Sequence, residues 1–189
     1  MKKKLLVTGI IICALACGCG SSDKQADANK KVSEKTTEAT TEEPTTEEPA
    51  IIYNTGDTAE LENWEINIAE MQIVDSIEDS VMIYKANEEG NKLVKVSATA
   101  TNKGDEASTF CPSYGYSDDL IAKVINGEDE YSALILLGYG DGMHNKKVEA
   151  QASISGNMVF EIPESVASAE DELIVKFTYK GKELNFKVR

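Results

Sequence analysis

Two residues in the C-terminal part of the chain have the types needed for nucleophilic chemistry. They are Cys111 and the chain's single histidine, His144, and a thiolate needs such a base close by. Cys111 follows the apolar Phe110 and precedes Pro112, with no adjacent cation or helix start to lower its pKa. The pair reads as a partly buried, unreactive thiol beside a surface histidine, and no enzymatic activity is expected. Acidic side chains gather in Asp118-Asp119, Glu128-Asp129-Glu130 and Glu170-Asp171-Glu172, and Asp141 stands between glycines in Gly138-Tyr139-Gly140-Asp141-Gly142. Calcium needs six to eight converging oxygens. None of these clusters has the spacing of a calcium loop, and neighbouring carboxylates on a strand point to opposite faces. Asp141 is the one weak calcium candidate; no metal or cofactor is expected. Tyr114, Tyr116 and Tyr139 lie on glycine-containing loops, where tyrosine offers a large contact area at low entropy cost. They are the candidate ligand contacts, with capping of the core's open ends as the alternative.

The most definite chemistry stands near the N-terminus. Lys2, Lys3 and Lys4 precede an apolar run from Leu5 to Ala16, long enough for a signal h-region and too short to span a bilayer. The run ends Leu15-Ala16-Cys17-Gly18-Cys19-Gly20-Ser21-Ser22, which resembles the bacterial lipobox. That resemblance implies a diacylglyceryl group on the cysteine sulfur and cleavage just before the cysteine. Cys19 fits best, with Cys17 as the alternative. An ordinary secretory signal, cut to release a soluble protein, is the competing reading. Two acyl chains give a lasting attachment where one binds marginally. Cleavage at Cys19 leaves Cys111 as the one unlipidated cysteine, so no internal disulfide forms; with Cys17 as anchor, Cys19 could pair with Cys111.

Those residues divide the chain into a signal peptide (1–18), a lipidated N-terminus with a linker (19–50), and one folded domain (51–189). The linker is rich in Thr, Glu, Lys and Pro, repeats Thr-Thr-Glu three times, and holds no aromatic residue. Such a segment buries too little apolar surface to offset its ordering entropy, and is expected to be disordered. The domain instead shows strand periodicity. Trp64, Ile66 and Ile68 alternate with polar neighbours, then Met71 and Ile73 continue on the other parity, which predicts a bulge near Ala69-Glu70. Val94, Val96, Ala98 and Ala100 alternate up to the turn Asn102-Lys103-Gly104-Asp105. Leu120–Ile125 and Tyr131–Leu136 flank Asn126-Gly127, with a loop lengthened by Glu128 to Glu130. Met158, Phe160 and Ile162 stop at Pro163. Leu173 to Tyr179 mirror Leu184 to Val188 across Lys180-Gly181-Lys182, and a short helix is expected at Glu164–Ala169.

Many short strands separated by turns imply an all-β sandwich or barrel. Gly56-Asp57-Thr58, Trp64-Glu65-Ile66-Asn67-Ile68, the run from Val96 to Asp105 and the run from Gly156 to Pro163 resemble the secreted Gram-positive family called domain of unknown function 4352. The resemblance implies an immunoglobulin-like antiparallel β-sandwich displayed outside the cell, often behind a lipobox and a polar linker, with no catalytic residues.

Residues 51–189 carry twelve Lys and Arg against 25 Asp and Glu, within a chain of net charge −14. Nucleic acid is excluded as a partner, since phosphates require a basic face. One domain of this size does not form the two lobes of a solute-capturing transport protein. The expectation is a non-enzymatic binding or scaffold module, lipid-anchored on the extracellular face of a Gram-positive-type membrane, with a protein or glycan ligand. An accessory subunit of a membrane complex such as a transporter stands second, and a small cell-surface hydrolase third.

Overall fold

The computed structural model of the chain describes residues 51–112, 115–116 and 118–189. The expected signal peptide, Cys17, Cys19, the linker and Tyr114 lie outside those residues. Among the described residues the regular structure is thirteen strands and one five-residue helix, so the all-β expectation holds.

The framework is two long strands. β3 (Trp64–Val74) and β6 (Lys92–Asn102) pair antiparallel over their whole lengths. The predicted bulge is present: the register shifts between Ile68 and Glu70, which moves the inward positions from Trp64, Ile66 and Ile68 to Met71 and Ile73. β2 (Thr58–Leu61) pairs with β3 on one side, and β11 (Ser153–Ile162) pairs with β6 on the other. A second sheet contains β8 (Ile121–Asn126), β12 (Ile174–Tyr179) and β13 (Lys182–Lys187). β9 (Asp129–Leu134) belongs to both sheets, since its first four residues pair with β8 and Ala133 and Leu134 pair with β11. The order is therefore continuous, β1-β13-β12-β8-β9-β11-β6-β3-β2. At the open seam the Lys182 ammonium, beside the β12–β13 turn, is ion-paired with the Glu62 carboxylate beside the β2–β3 turn.

Two local expectations are corrected. β1 (Ile52–Asn54) runs parallel to β13, with Ile52 opposite Asn185 and Asn54 opposite Lys187, so the sandwich is not wholly antiparallel. This pair joins the start of the domain to its end and needs no hairpin; Gly56, at φ 96°, then turns the chain toward β2, its N–H donating to the Ile68 carbonyl at 2.7 Å. The β8–β9 connection is also tighter than expected. Asn126 pairs directly with Asp129, and Gly127, at φ 60°, takes the first position of a two-residue turn, so Asp129 and Glu130 belong to the strand. The last hairpin matches the sequence closely: Lys180 and Gly181 both have positive φ, as a type I′ turn requires. α1 (Glu164–Ser168) follows Pro163.

The two sheets enclose a core that includes Ile66, Val96, Phe160, Val175 and Phe186. Trp64 meets Phe110 edge-on at 5.4 Å, Phe110 meets Phe177 at 6.4 Å, and Phe177 meets Phe186 at 6.1 Å, a line of aromatic contacts running from one sheet to the other. Asn102 is fully buried at the end of β6. Its amide donates to the carbonyls of Glu106 and Val148 at 2.7 and 3.2 Å, and its oxygen accepts from the Gly104 N–H at 3.0 Å.

A third layer lies outside the β3–β6–β11 sheet. Leu93 and Val159 are buried although they point to the face opposite Val94 and Phe160. They are covered by a hairpin of β4 (Ser76–Glu78) and β5 (Ile83–Lys85), which supplies Ile77 and Tyr84, by Leu134 at the end of β9, and by Leu136 and Tyr139 from the segment after it.

Candidate functional site

Cys111 and His144 meet, but not through the atoms that nucleophilic chemistry needs. β7 (Ser108–Phe110) pairs with β10 (Lys146–Val148), which brings the residues just beyond each strand together. Cys111 has a left-handed backbone, φ 41°, and its carbonyl accepts from His144 Nδ1 at 3.1 Å. A carbonyl only accepts, so Nδ1 carries the proton and Nε2 is a bare acceptor. Nε2 is buried without a partner. Burial pulls the imidazole below its ordinary value, opposed by the bond to the Cys111 carbonyl. The Cys111 thiol is buried, and burial pushes its pKa far up, so the reactive thiolate is suppressed. A cavity of about 270 Å³ adjoins both residues, lined mainly by Pro112, Leu120, Ile121, Ala133 and Ile135.

The glycine-rich segment carrying Tyr139 and Asp141 is laid against β11 and fixed there. The Asp141 carbonyl accepts from the Asn157 N–H at 2.7 Å, the Met143 N–H donates back to the Asn157 carbonyl at 3.0 Å, and the Met143 side chain is buried. Gly156 makes this approach possible, because a Cβ there would stand 2.3 Å from the Asp141 carbonyl oxygen and 2.9 Å from Met143 Cγ. Tyr139 is half-buried, packs edge-on against Tyr84 at 5.7 Å, and accepts from the Asn157 side-chain amide at 2.8 Å. Tyr116 is 79% exposed, with its N–H held by the Asp119 carboxylate at 2.8 Å. Tyr116 is thus exposed, Tyr139 packs into the third layer, and Tyr114 lies outside the described residues.

The acidic groups are partly engaged in ion pairs. Glu130 accepts from Lys123 at 2.5 Å and Lys176 at 2.8 Å, which pull its carboxyl down to about 2. Glu172 pairs with Lys187 at 2.7 Å. Among the described residues no group of three or more His, Cys, Asp or Glu is placed to hold a metal ion, Asp141 included.

A feature absent from the sequence reading is the outer rim of the third layer. Asp79 and Met82 exchange main-chain hydrogen bonds at 2.9 and 3.2 Å around Ser80-Val81, closing the β4–β5 hairpin. Its tip carries Val81, Met82 and Ile83, which are 87, 47 and 61% exposed. Leu137, 80% exposed, lies beside them. The Tyr84 hydroxyl donates to the Leu137 carbonyl at 2.9 Å and stands 3.6 Å from the Met82 sulfur, and the Gly140 N–H donates to the Asp79 carboxylate at 3.0 Å. That bond and the one from the Ser80 N–H hold the Asp79 carboxyl below its usual range. An ordered scaffold thus presents apolar side chains to water, an arrangement characteristic of interaction sites.

No protein-family model matches the chain, domain of unknown function 4352 included, and no curated protein matches it. Solved structures are similar in fold. An uncharacterized β-sandwich protein from Clostridium difficile 630 superposes with a TM-score of 0.56 at 19% identity, covering 78% of this chain and 100% of that one. A conserved hypothetical protein from Bacillus anthracis gives a TM-score of 0.51 at 11% identity, over 72% of this chain and 95% of its own. The yjhA protein from Bacillus subtilis gives 0.51 at 8%, over 73% and 100%. At these identities the likeness is one of fold, a β-sandwich.

Proposed function

We propose that the chain is a lipid-anchored, non-enzymatic binding module displayed on the outer face of the cell membrane, which engages a protein partner through the apolar rim of its third layer. The observation that carries the binding reading is the exposure of Val81, Met82, Ile83 and Leu137 on loops tied together by the Asp79–Gly140 and Tyr84–Leu137 bonds. Holding a loop pair in one conformation lowers the entropy cost of association, which favours recognition. The anchoring reading rests on Lys2 to Lys4, the apolar run to Ala16, and Cys19. The corner at Cys111 and His144 supports hydrolysis least, because the thiol is buried and the imidazole faces a carbonyl instead of the sulfur.

The test has two parts on the full chain expressed in a Gram-positive host. Mass spectrometry of the mature N-terminal peptide is expected to show a diacylglyceryl-modified Cys19, and an unacylated N-terminus would remove the anchor. Detergent-solubilised membranes are then expected to yield a stoichiometric partner with the unmodified chain and to lose it with the double variant Val81→Asp, Leu137→Asp. Retention by the double variant would remove the rim from the reading.

A further inference from the structure

We infer that the outer edge of β5 receives an extended, basic and apolar segment of the partner protein, which adds to the β4–β5 hairpin as a third strand. The inference rests on the binding-module reading and specifies its mode. Asp79 and Met82 form a doubly hydrogen-bonded pair, and Glu78 opposes Ile83, Ile77 opposes Tyr84 and Ser76 opposes Lys85. Directly opposite residues in an antiparallel ladder alternate between bonded and non-bonded pairs. Ile77–Tyr84 is therefore bonded, and the N–H and C=O groups of Ile83 and Lys85 point away from β4. This small sheet has two strands only, and both residues are exposed. The free side of β5 is thus a row of main-chain donors and acceptors facing water, a template for strand addition.

Proteins blunt such edges with charge or proline. Here Lys85 is the sole charged residue on the strand, and Val81-Met82-Ile83 leads into it. Charge selects the occupant. Glu78, Asp79 and Asp141 border the rim against Lys85 and Lys146, and Lys146 is engaged with the Gly140 carbonyl at 3.1 Å. The domain as a whole carries twelve basic against 25 acidic residues. A basic segment is steered toward this surface, whereas a second copy or an anionic lipid surface is repelled.

The experiment places a photo-crosslinking amino acid at Val81 or Leu137 of the full lipoprotein in intact membranes, with Asp105 as a control position. The expected result is an adduct at Val81 with a different protein, mapping to a peptide of net positive charge. Lys85→Pro removes one outward donor and no internal hydrogen bond, so it is expected to cut adduct yield at least about tenfold, which corresponds to about 1.4 kcal/mol. A circular-dichroism melt checks that the variant folds. Should it not, hydrogen exchange of the unmodified chain gives the same answer, since the amides of Ile83 and Lys85 should exchange at least about tenfold more slowly in the complex. An adduct with lipid, with a second copy or with an acidic segment overturns the inference. Full yield in a folded Lys85→Pro, or unchanged exchange at both amides, also overturns it while leaving the binding module standing. Absence of adducts at both Val81 and Leu137 removes both.

Discussion

His144 combines a fixed tautomer with an orphaned nitrogen, and this makes it the residue through which mild acid acts on the fold. Protonation would put a second N–H on Nε2, where no acceptor is within reach. The imidazole is accordingly held below its ordinary value of 6.5 by burial. A base with a depressed pKa takes up its proton more readily in the unfolded chain, so stability rises with pH in that window. The full stability is present above pH 6.5 and declines as pH falls below that value, until the folded imidazole itself titrates. His144 is the chain's only histidine, and histidine is the side chain that ordinarily changes charge in this range, so the interval from pH 7 to 5 reads it. Urea melts across that interval should show a falling midpoint, and His144→Asn should flatten the slope; an unchanged slope would remove His144 as the cause. The neighbouring thiol gives a second test. Cys111 is buried and its pKa is raised, so a thiol reagent at pH 8 should label the native protein at least about a hundredfold more slowly than the protein in denaturant. Equal rates would mean that the corner opens freely.

At the scale of elements, the attachment of the 139–145 segment to β11 depends on a missing side chain. Gly156→Ala would drive a Cβ into the Asp141 carbonyl, a backbone atom that cannot step aside without breaking its 2.7 Å bond from the Asn157 N–H. Overpacking of this kind costs about 1–3 kcal/mol, and in a domain of this size the melting temperature should fall by about 3–10 °C. Calorimetry of residues 51–189 measures it, and an unchanged melt would mean the segment is loosely held. The same glycine marks the limit of what periodicity conveys. The bulge at Ala69, the strands of β6, β11 and β12, and the last hairpin around Lys180-Gly181 were legible, because alternation and turn residues act locally, whereas the two-residue I′ geometry emerged from the register. A strand covered on both faces loses its alternation, so Leu93 and Val159 gave no sign of the layer above them. Gly156, mid-strand, was the available signal that another backbone comes close. The stretch from Val74 to Leu93, with strands of only three residues, carries too few periods to register. The apolar rim therefore appears only once the hairpin is folded over the sheet, and the packing of Tyr139 is not legible locally because its partners, Tyr84 and Asn157, are distant in sequence.

The molecule as a whole is shaped by an imbalance of charge that no single contact reveals. Several exposed ion pairs, such as Lys92 with Asp75 at 2.6 Å and Glu164 at 2.9 Å, tie elements together locally. Surface pairs contribute about 0–1 kcal/mol each and weaken in salt. Against them stands the mutual repulsion of 25 carboxylates with twelve cations among residues 51–189, which acts over the whole surface and is relieved by salt. The two effects have opposite signs, so ionic strength decides between them. With a surplus of thirteen negative charges the repulsion is expected to be the larger. Raising sodium chloride from about 0.01 M to about 1 M shortens the screening length from about 30 Å to about 3 Å. Thermal melts of residues 51–189 at pH 7.5 over that range should rise by several degrees, with most of the gain below about 0.1 M, where the screening length is still about 10 Å. A fall in melting temperature over the same range would mean that the local ion pairs outweigh the repulsion, and would withdraw the electrostatic argument for a basic partner at the same time.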